Sequence, residues 1–194
     1  MRRANSPRLK EMSKFEPILQ TDRLLLVNFT EAHVDDFVAM NGDAEVMEFF
    51  PATQSRDESA AFLARIMAHR EQHGYSLFAL HLKQDDKFVG FTGLLRAEFS
   101  AHFTPAVEIG WRFPKFAWGQ GLGPEAARAC LTYGFETLAL DEIVSFTAAQ
   151  NKRSIRVMEK IGMQYDAADD FDHPHLAAGH WLRRHVLYRK RRFS

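Results

Sequence analysis

The chain has 194 residues, 46% hydrophobic and 26% charged, which suits one domain with a buried core and argues against disorder. Its 25 basic residues balance 25 acidic ones, so no global field draws it to nucleic acid or to an anionic membrane. The single cysteine, Cys130, excludes an internal disulfide, and with no apolar run near 18 residues and no leading signal pattern the expected location is the cytoplasm.

Residues 1–17 are polar and basic (Arg2, Arg3, Arg8, Lys10, Lys14) and lack periodicity. They read as an N-terminal extension, with Met12 as an alternative start, ahead of one domain over 18–194. A strand is expected at Arg23–Val27 and a helix at Glu31–Met40, with Thr30 as its N-cap. Residues 41–54 carry Val46, Met47, Phe49, Phe50 and Pro51 between two helical stretches. Ser55 and Glu58 have capping-box spacing at the head of the second helix, where Phe62, Ile66 and His69 share one side. Two strands, Tyr75–Leu82 and Phe88–Leu95, flank the polar loop Lys83–Lys87, and Gly90 and Gly93 predict a bulge or a close backbone approach.

Ala106–Phe113 alternates, placing Val107, Ile109, Trp111 and Phe113 on one face. Gly119-Gln120-Gly121-Leu122-Gly123 follows, then Pro124 and a helix whose apolar stripe includes Ala127, Cys130, Leu131, Gly134, Phe135 and Leu138. Strand, glycine turn and helix start make an anion site, because bare N–H groups and the positive helix end act together. A dinucleotide fold would need G-x-G-x-x-G and an acid at the far end of the next strand, whereas Asp141 and Glu142 stand at its beginning. A P-loop would need Gly-Lys-Ser/Thr, which is missing.

Glu142–Ala149 reads as the next strand, Asn151–Ile161 as a helix with Gly162 at its C-cap, and Trp181–Arg189 as the last strand. Between them Asp166–His175 is acidic and turn-like. The basic residues Arg183, Arg184, Arg189, Lys190, Arg191 and Arg192 fit a solvated strand face and tail, an acidic or RNA partner, or a phosphate contact.

Glu108-Ile109-Gly110-Trp111, Ala117-Trp118-Gly119-Gln120-Gly121-Leu122-Gly123 and Asn151-Lys152-Arg153-Ser154, followed by Glu159-Lys160-Ile161-Gly162-Met163, resemble the GNAT superfamily of N-acetyltransferases, and more narrowly its RimJ/RimL-like branch. Thr21-Asp22-Arg23-Leu24-Leu25-Leu26 and His185-Val186-Leu187-Tyr188-Arg189 extend the resemblance to about residues 18–190. It implies an α/β fold with a mixed, mostly antiparallel sheet of about six or seven strands, about four helices, and a splay between two parallel neighbours. It also implies acetyl-CoA as co-substrate. The acceptor would be a small-molecule or peptide amine, including a protein N-terminus, attacked directly in a ternary complex. A homodimer is compatible with it. The family's pyrophosphate signature maps to Trp118–Gly123, with Trp118 where Arg or Gln is usual.

By the same resemblance, open main-chain groups of Ile109, Trp111 and Phe113 take the pantetheine arm, and Trp118, Gly119, Gln120, Gly121, Leu122 and Gly123 cradle the pyrophosphate. Asn151 contacts the cofactor arm, besides suiting an N-cap, and Ser154 stands near the departing thiolate. Met158 occupies the position where many members carry a tyrosine acid, so Ser154 is the candidate acid. Glu108, on the face opposite Ile109 and beside Gly110, is the candidate base, with the alternative of an exposed or salt-bridged strand Glu. His185 is the second candidate for the base and for the acceptor pocket, and Phe49 and Phe50 are candidate pocket walls. His173, His175, His180 and His185 match no zinc spacing, so no metal is expected. Cys130, on a buried stripe, suits packing better than acyl transfer. Trp118 and Met158 give footing to another reading, a catalytically silent CoA-binding regulatory module.

Overall fold

In the second strand, Leu24 and Leu26 join one apolar cluster while Leu25 and Val27 join another. Both sides of a pleated strand can be buried only when helices cover both faces of the sheet. The computed structural model of the chain describes residues 14–193, so the expected extension lies largely outside the described residues. Described strands are β1 (Pro17–Gln20), β2 (Leu24–Asn28), β3 (Leu77–Leu82), β4 (Phe88–Ala97), β5 (Ala106–Arg112), β6 (Glu142–Ala148), β7 (Gln164–Tyr165), β8 (Phe171–Asp172) and β9 (Arg184–Arg191). The longer helices are α1 (Val34–Asn41), α2 (Arg56–His73), α3 (Leu122–Thr132) and α4 (Lys152–Lys160).

The sheet order is β1-β2-β3-β4-β5-β6-β9-β7, with β8 also on β9. Every pairing is antiparallel except β5 with β6. The mixed architecture is as expected, with nine described strands where about six or seven were predicted. The surplus is β1, from a stretch with no strong pattern, and two two-residue strands, β7 just before the acidic segment and β8 within it. Pieces that short carry no readable alternation.

On one face, α3 and α4 cover Leu24, Leu26, Phe78, Leu80, Leu94 and Ile109. On the other, α1 and α2 cover Leu25, Val27, Leu77, Ala79, Phe88 and Phe91. The capping box of α2 is formed, since Glu58 N–H donates to Ser55 Oγ at 3.2 Å and Ser55 N–H to Glu58 Oε2 at 2.7 Å. The close approach expected at the β4 glycines is present: a Cβ on Gly90 would fall 2.2 Å from the Arg112 carbonyl oxygen, so no larger residue fits without moving β5. The acidic and basic runs near the C-terminus meet across β9. Arg189 pairs with Asp169 and Glu142, Arg191 with Glu142, and Arg184 with Asp170 and Asp172. Among the described residues no helix is long and apolar enough to cross a membrane.

Candidate active site

β5 and β6 are parallel neighbours registered at one pair, Glu108 opposite Val144. Beyond that pair Ser145 Oγ donates to the Ile109 carbonyl at 2.9 Å, a side chain standing in for the next rung of the ladder. Main-chain groups of alternate residues leave a strand on the same edge, so those of Trp111 face the same side as the Ile109 carbonyl. That side opens into a cleft of about 710 Å³, lined by both strands, the glycine turn, α4 and residues 46–51.

The turn enters α3 through Gly119 and Gly121, whose φ values of +74° and +77° favour residues without a Cβ. Gly121 is the N-cap and offers no side chain, so the first N–H groups of an 11-residue helix are left uncapped. Pro124 sits in the first turn, where its missing N–H has no intrahelical role. Gly123 packs against the Phe113 ring, 3.4 Å from where a Cβ would stand. The turn is clamped from the front of the chain. Arg23 donates through Nη1 to the Gln120 carbonyl at 2.8 Å and through Nε to Glu125 Oε2 at 2.7 Å, while Thr21 Oγ1 donates to Glu125 Oε1 at 2.5 Å. Burial pushes the Glu125 carboxyl up, but these bonds outweigh it and hold the group below its ordinary pKa.

Most of the predicted site residues come together here. Phe49, Phe50, Glu108, Ile109, Trp111, Phe113, Trp118, Gly119, Gly121, Leu122, Gly123, Asn151, Ser154 and His185 all line the cleft. Gln120 does not; its amide turns back to the Phe116 carbonyl at 2.6 Å. Trp118 donates its indole N–H to the Phe113 carbonyl at 2.8 Å, occupying that carbonyl, and the Arg153 guanidinium lies 4.3 Å from the indole ring. Asn151 is the N-cap of α4: its Oδ1 accepts from Ser154 N–H at 3.1 Å and its Nδ2 donates to Thr147 Oγ1 at 2.9 Å. The Ser154 hydroxyl makes no bond within the described protein.

Glu108 rises from the opposite face of β5. Its carboxyl lies over Gly110, with Oε1 3.8 Å from the Cβ position that glycine lacks, and it has no salt bridge or hydrogen bond among the described residues. Desolvation raises its pKa to about 8. Nearby, His173 and His185 rings stand 5.0 Å apart, within a nest of Phe99, Phe146 and Phe171. Burial, then the neighbouring His185 and His175, lowers His173 to about 4. Burial also lowers His185, whose Nδ1 faces the Arg183 carbonyl at 3.1 Å and so carries the hydrogen, leaving Nε2 as acceptor. Among the described residues, no group of three or more His, Cys, Asp and Glu side chains is disposed to hold a metal ion. Cys130 is buried, its thiol pushed by desolvation to about 12.

Residue-by-residue reading missed six participants: Arg23 behind the glycine turn, and Ser145, Arg112 and the α4 cations Arg153, Arg156 and Lys160 in the cleft lining. Of these, Arg112 was the most legible. Alternation from Glu108 puts it on the same face as the candidate base, an unusual place for a cation within a buried strand.

The sequence pattern of the acetyltransferase (GNAT) domain matches residues 23–164. The chain is 30% identical over 147 residues to the uncharacterised N-acetyltransferase YnaD of Bacillus subtilis (strain 168), covering 75% of this chain and 82% of that protein. It is 31% identical over 160 residues to the FsC-acetyl coenzyme A-N(2)-transacetylase of Aspergillus fumigatus, covering 78% and 67% respectively. Its fold superposes on the crystal structure of a GNAT-family acetyltransferase from Bacillus anthracis with a TM-score of 0.75 and 25% identity, over 91% of this chain and 99% of that one.

Proposed function

The chain belongs to the GNAT acetyltransferase family and is an acetyl-CoA-dependent acyltransferase, and from that premise we propose that it acetylates a primary amine by direct attack, with Glu108 as the base. The observation that carries this reading is the alignment of three features along one cleft: the uncapped α3 start, the parted strands β5 and β6, and a half-buried carboxyl without a partner beyond them.

Acetyl-CoA brings the activated thioester and a thiolate leaving group. The fit of this chain to it is supported by bare N–H groups at Gly121–Gly123 and by the cleft-lining Arg156 and Lys160 of α4, whose Val157 lies 3.7 Å from the Cβ position of Gly123; such a set suits a pyrophosphate. Trp111 would bind the pantetheine arm through main-chain groups that no facing strand pairs, with Ile109 beside it at the point of splay. Amide N–H groups directed into such a cleft polarise an acyl oxygen without reorganising. Asn151 holds the head of α4 in place, and that helix start presents the free Ser154 hydroxyl as the proton donor to the leaving thiolate. Glu108 accepts the ammonium proton, directly or through water, and His185 Nε2 is a second acceptor at the same end. The cleft between Phe49, Phe50 and the histidine nest receives the body of the acceptor. Cys130 has no part, since a buried thiol titrating near 12 is not a nucleophile at neutral pH.

The test is thiol release from acetyl-CoA across a panel of amines, alongside calorimetry with CoA. Turnover with at least one amine class and CoA binding are expected. Binding of CoA without turnover of any amine would refute transfer.

A further inference from the structure

At the acceptor end of the cleft stands a charge that the reaction above does not use. Arg112 is 7% exposed and still lines the cleft. It leaves β5 on the Glu108 face, away from α3 and the glycine turn, so it is remote from the proposed pyrophosphate cradle. One guanidinium N–H bonds to Asn41 Oδ1 at 2.5 Å, and Asn41 Nδ2 is held in turn by Ser59 Oγ at 3.3 Å. Its Nε is buried with no hydrogen-bond partner, and no carboxylate among the described residues pairs with the group. Phe50, 39% exposed, covers the guanidinium at 4.1 Å from ring centroid to Cζ, with Phe91 at 5.4 Å and Phe62 at 5.9 Å.

A buried cation without a counter-ion is costly, and burial lowers this one only to about 10, so it stays charged at neutral pH. Asn41 and Ser59 orient the planar fork from behind while leaving donors unused. A fork of this kind matches a carboxylate. The walls around it, Phe50, Phe62 and Phe91, are apolar and also line the cleft.

We propose that Arg112 receives the carboxylate of the acceptor, which makes the substrate an amino carboxylate with an apolar or aromatic body, as opposed to a polyamine or a neutral amine. This assignment rests on the acetyltransferase reading and narrows it. The acceptor's amine is directed to Glu108 and its carboxylate to Arg112, two side chains on one strand face with Gly110 between them.

The test compares matched pairs, such as phenylalanine and phenethylamine, in the thiol-release assay. The carboxylate-bearing member is expected to have a kcat/KM about 10- to 100-fold higher. Arg112→Met should bring the ratio of the two kcat/KM values close to one, whatever it does to either value alone, and Arg112→Lys should restore part of the ratio. Since Arg112 substitutions disturb a buried network, wild-type protein supplies an independent arm: 3-phenylpropionate, which has the carboxylate but no amine, should inhibit competitively against the acceptor. Equal or better use of phenethylamine, together with no inhibition by 3-phenylpropionate, would overturn the assignment while the transferase reading stood. Should no amine be turned over at all, calorimetric binding of 3-phenylpropionate to wild type still decides the role of Arg112, and absence of binding refutes it.

Discussion

Ser145 Oγ donates to the Ile109 carbonyl at 2.9 Å, and the two residues sit one step beyond the single registered pair that joins β5 to β6. That hydroxyl satisfies a buried carbonyl at the apex of the splay, where continued strand pairing would otherwise close the cleft. The strands part there without leaving that carbonyl unpaired.

Replacing Ser145 with alanine should therefore cost about 1 kcal/mol of stability, or a fall of about 2–4 °C in Tm for a domain of this size. CoA affinity should fall with it, because the apex loses its fixed geometry. Thermal melts and calorimetry read both, and a variant identical to wild type in each would refute the role given to this bond.

Glu108→Gln removes the proposed base and should lower kcat about 10²- to 10⁴-fold while CoA binding is retained. In wild type the carboxyl of the free enzyme loses its proton near 8, so kcat/KM should rise with pH through that value. In the variant the remaining limb should follow the pKa of whichever amine is supplied. A wild-type limb that shifts in step with the amine's own pKa would rule Glu108 out as the base.

The same raised pKa has a stability consequence of opposite sense to the usual carboxylate. The folded chain keeps the Glu108 proton up to about 8, whereas the unfolded chain releases it near 4.5. Between those values the folded state binds more protons, so stability is lost as pH rises across the window. Glu108→Gln should raise Tm relative to wild type by an amount that grows from pH 5 to pH 9. A difference that is constant with pH would contradict the burial argument.

Arg23 touches the glycine turn from outside the cleft, through Gln120 and Glu125. Arg23→Ala should raise the dissociation constant for CoA about 3- to 10-fold by loosening the turn, with little change in the global melt because the residue is exposed. Unchanged CoA affinity would show that the glycine turn holds its shape unaided.

Much of this protein is legible in its residues taken singly. The β5 alternation, the positive-φ glycines before Pro124, the Asn151 cap and the Ser55–Glu58 box are local, since each follows from backbone sterics or from groups within a few positions. They sufficed to place the strands, the glycine turn and the helix starts, while the mixed sheet and most of the cleft lining followed from the family resemblance those motifs carry. Boundaries moved by a residue or more: β3 begins at Leu77 and β9 at Arg184, and α3 gives way after Thr132 to a π-turn over 133–137, through which the apolar stripe continues to Phe135 and Leu138. At such ends competing main-chain bonds differ little in energy.

The tertiary structure alone decided what depends on groups distant in the chain. Arg23 meets Glu125 across about a hundred positions, Arg112 meets Asn41 across 71, and the acidic 166–172 stretch neutralises the cations of β9. In the sequence Glu108 is a candidate base or an exposed or salt-bridged strand carboxylate; only the fold leaves it desolvated and without an ion pair, which raises its pKa to about 8. Local pattern specifies where the chain bends and which way side chains point. Charge state and pairing depend on what the fold packs around each group, because desolvation and Coulomb terms act through space and have no period along the chain.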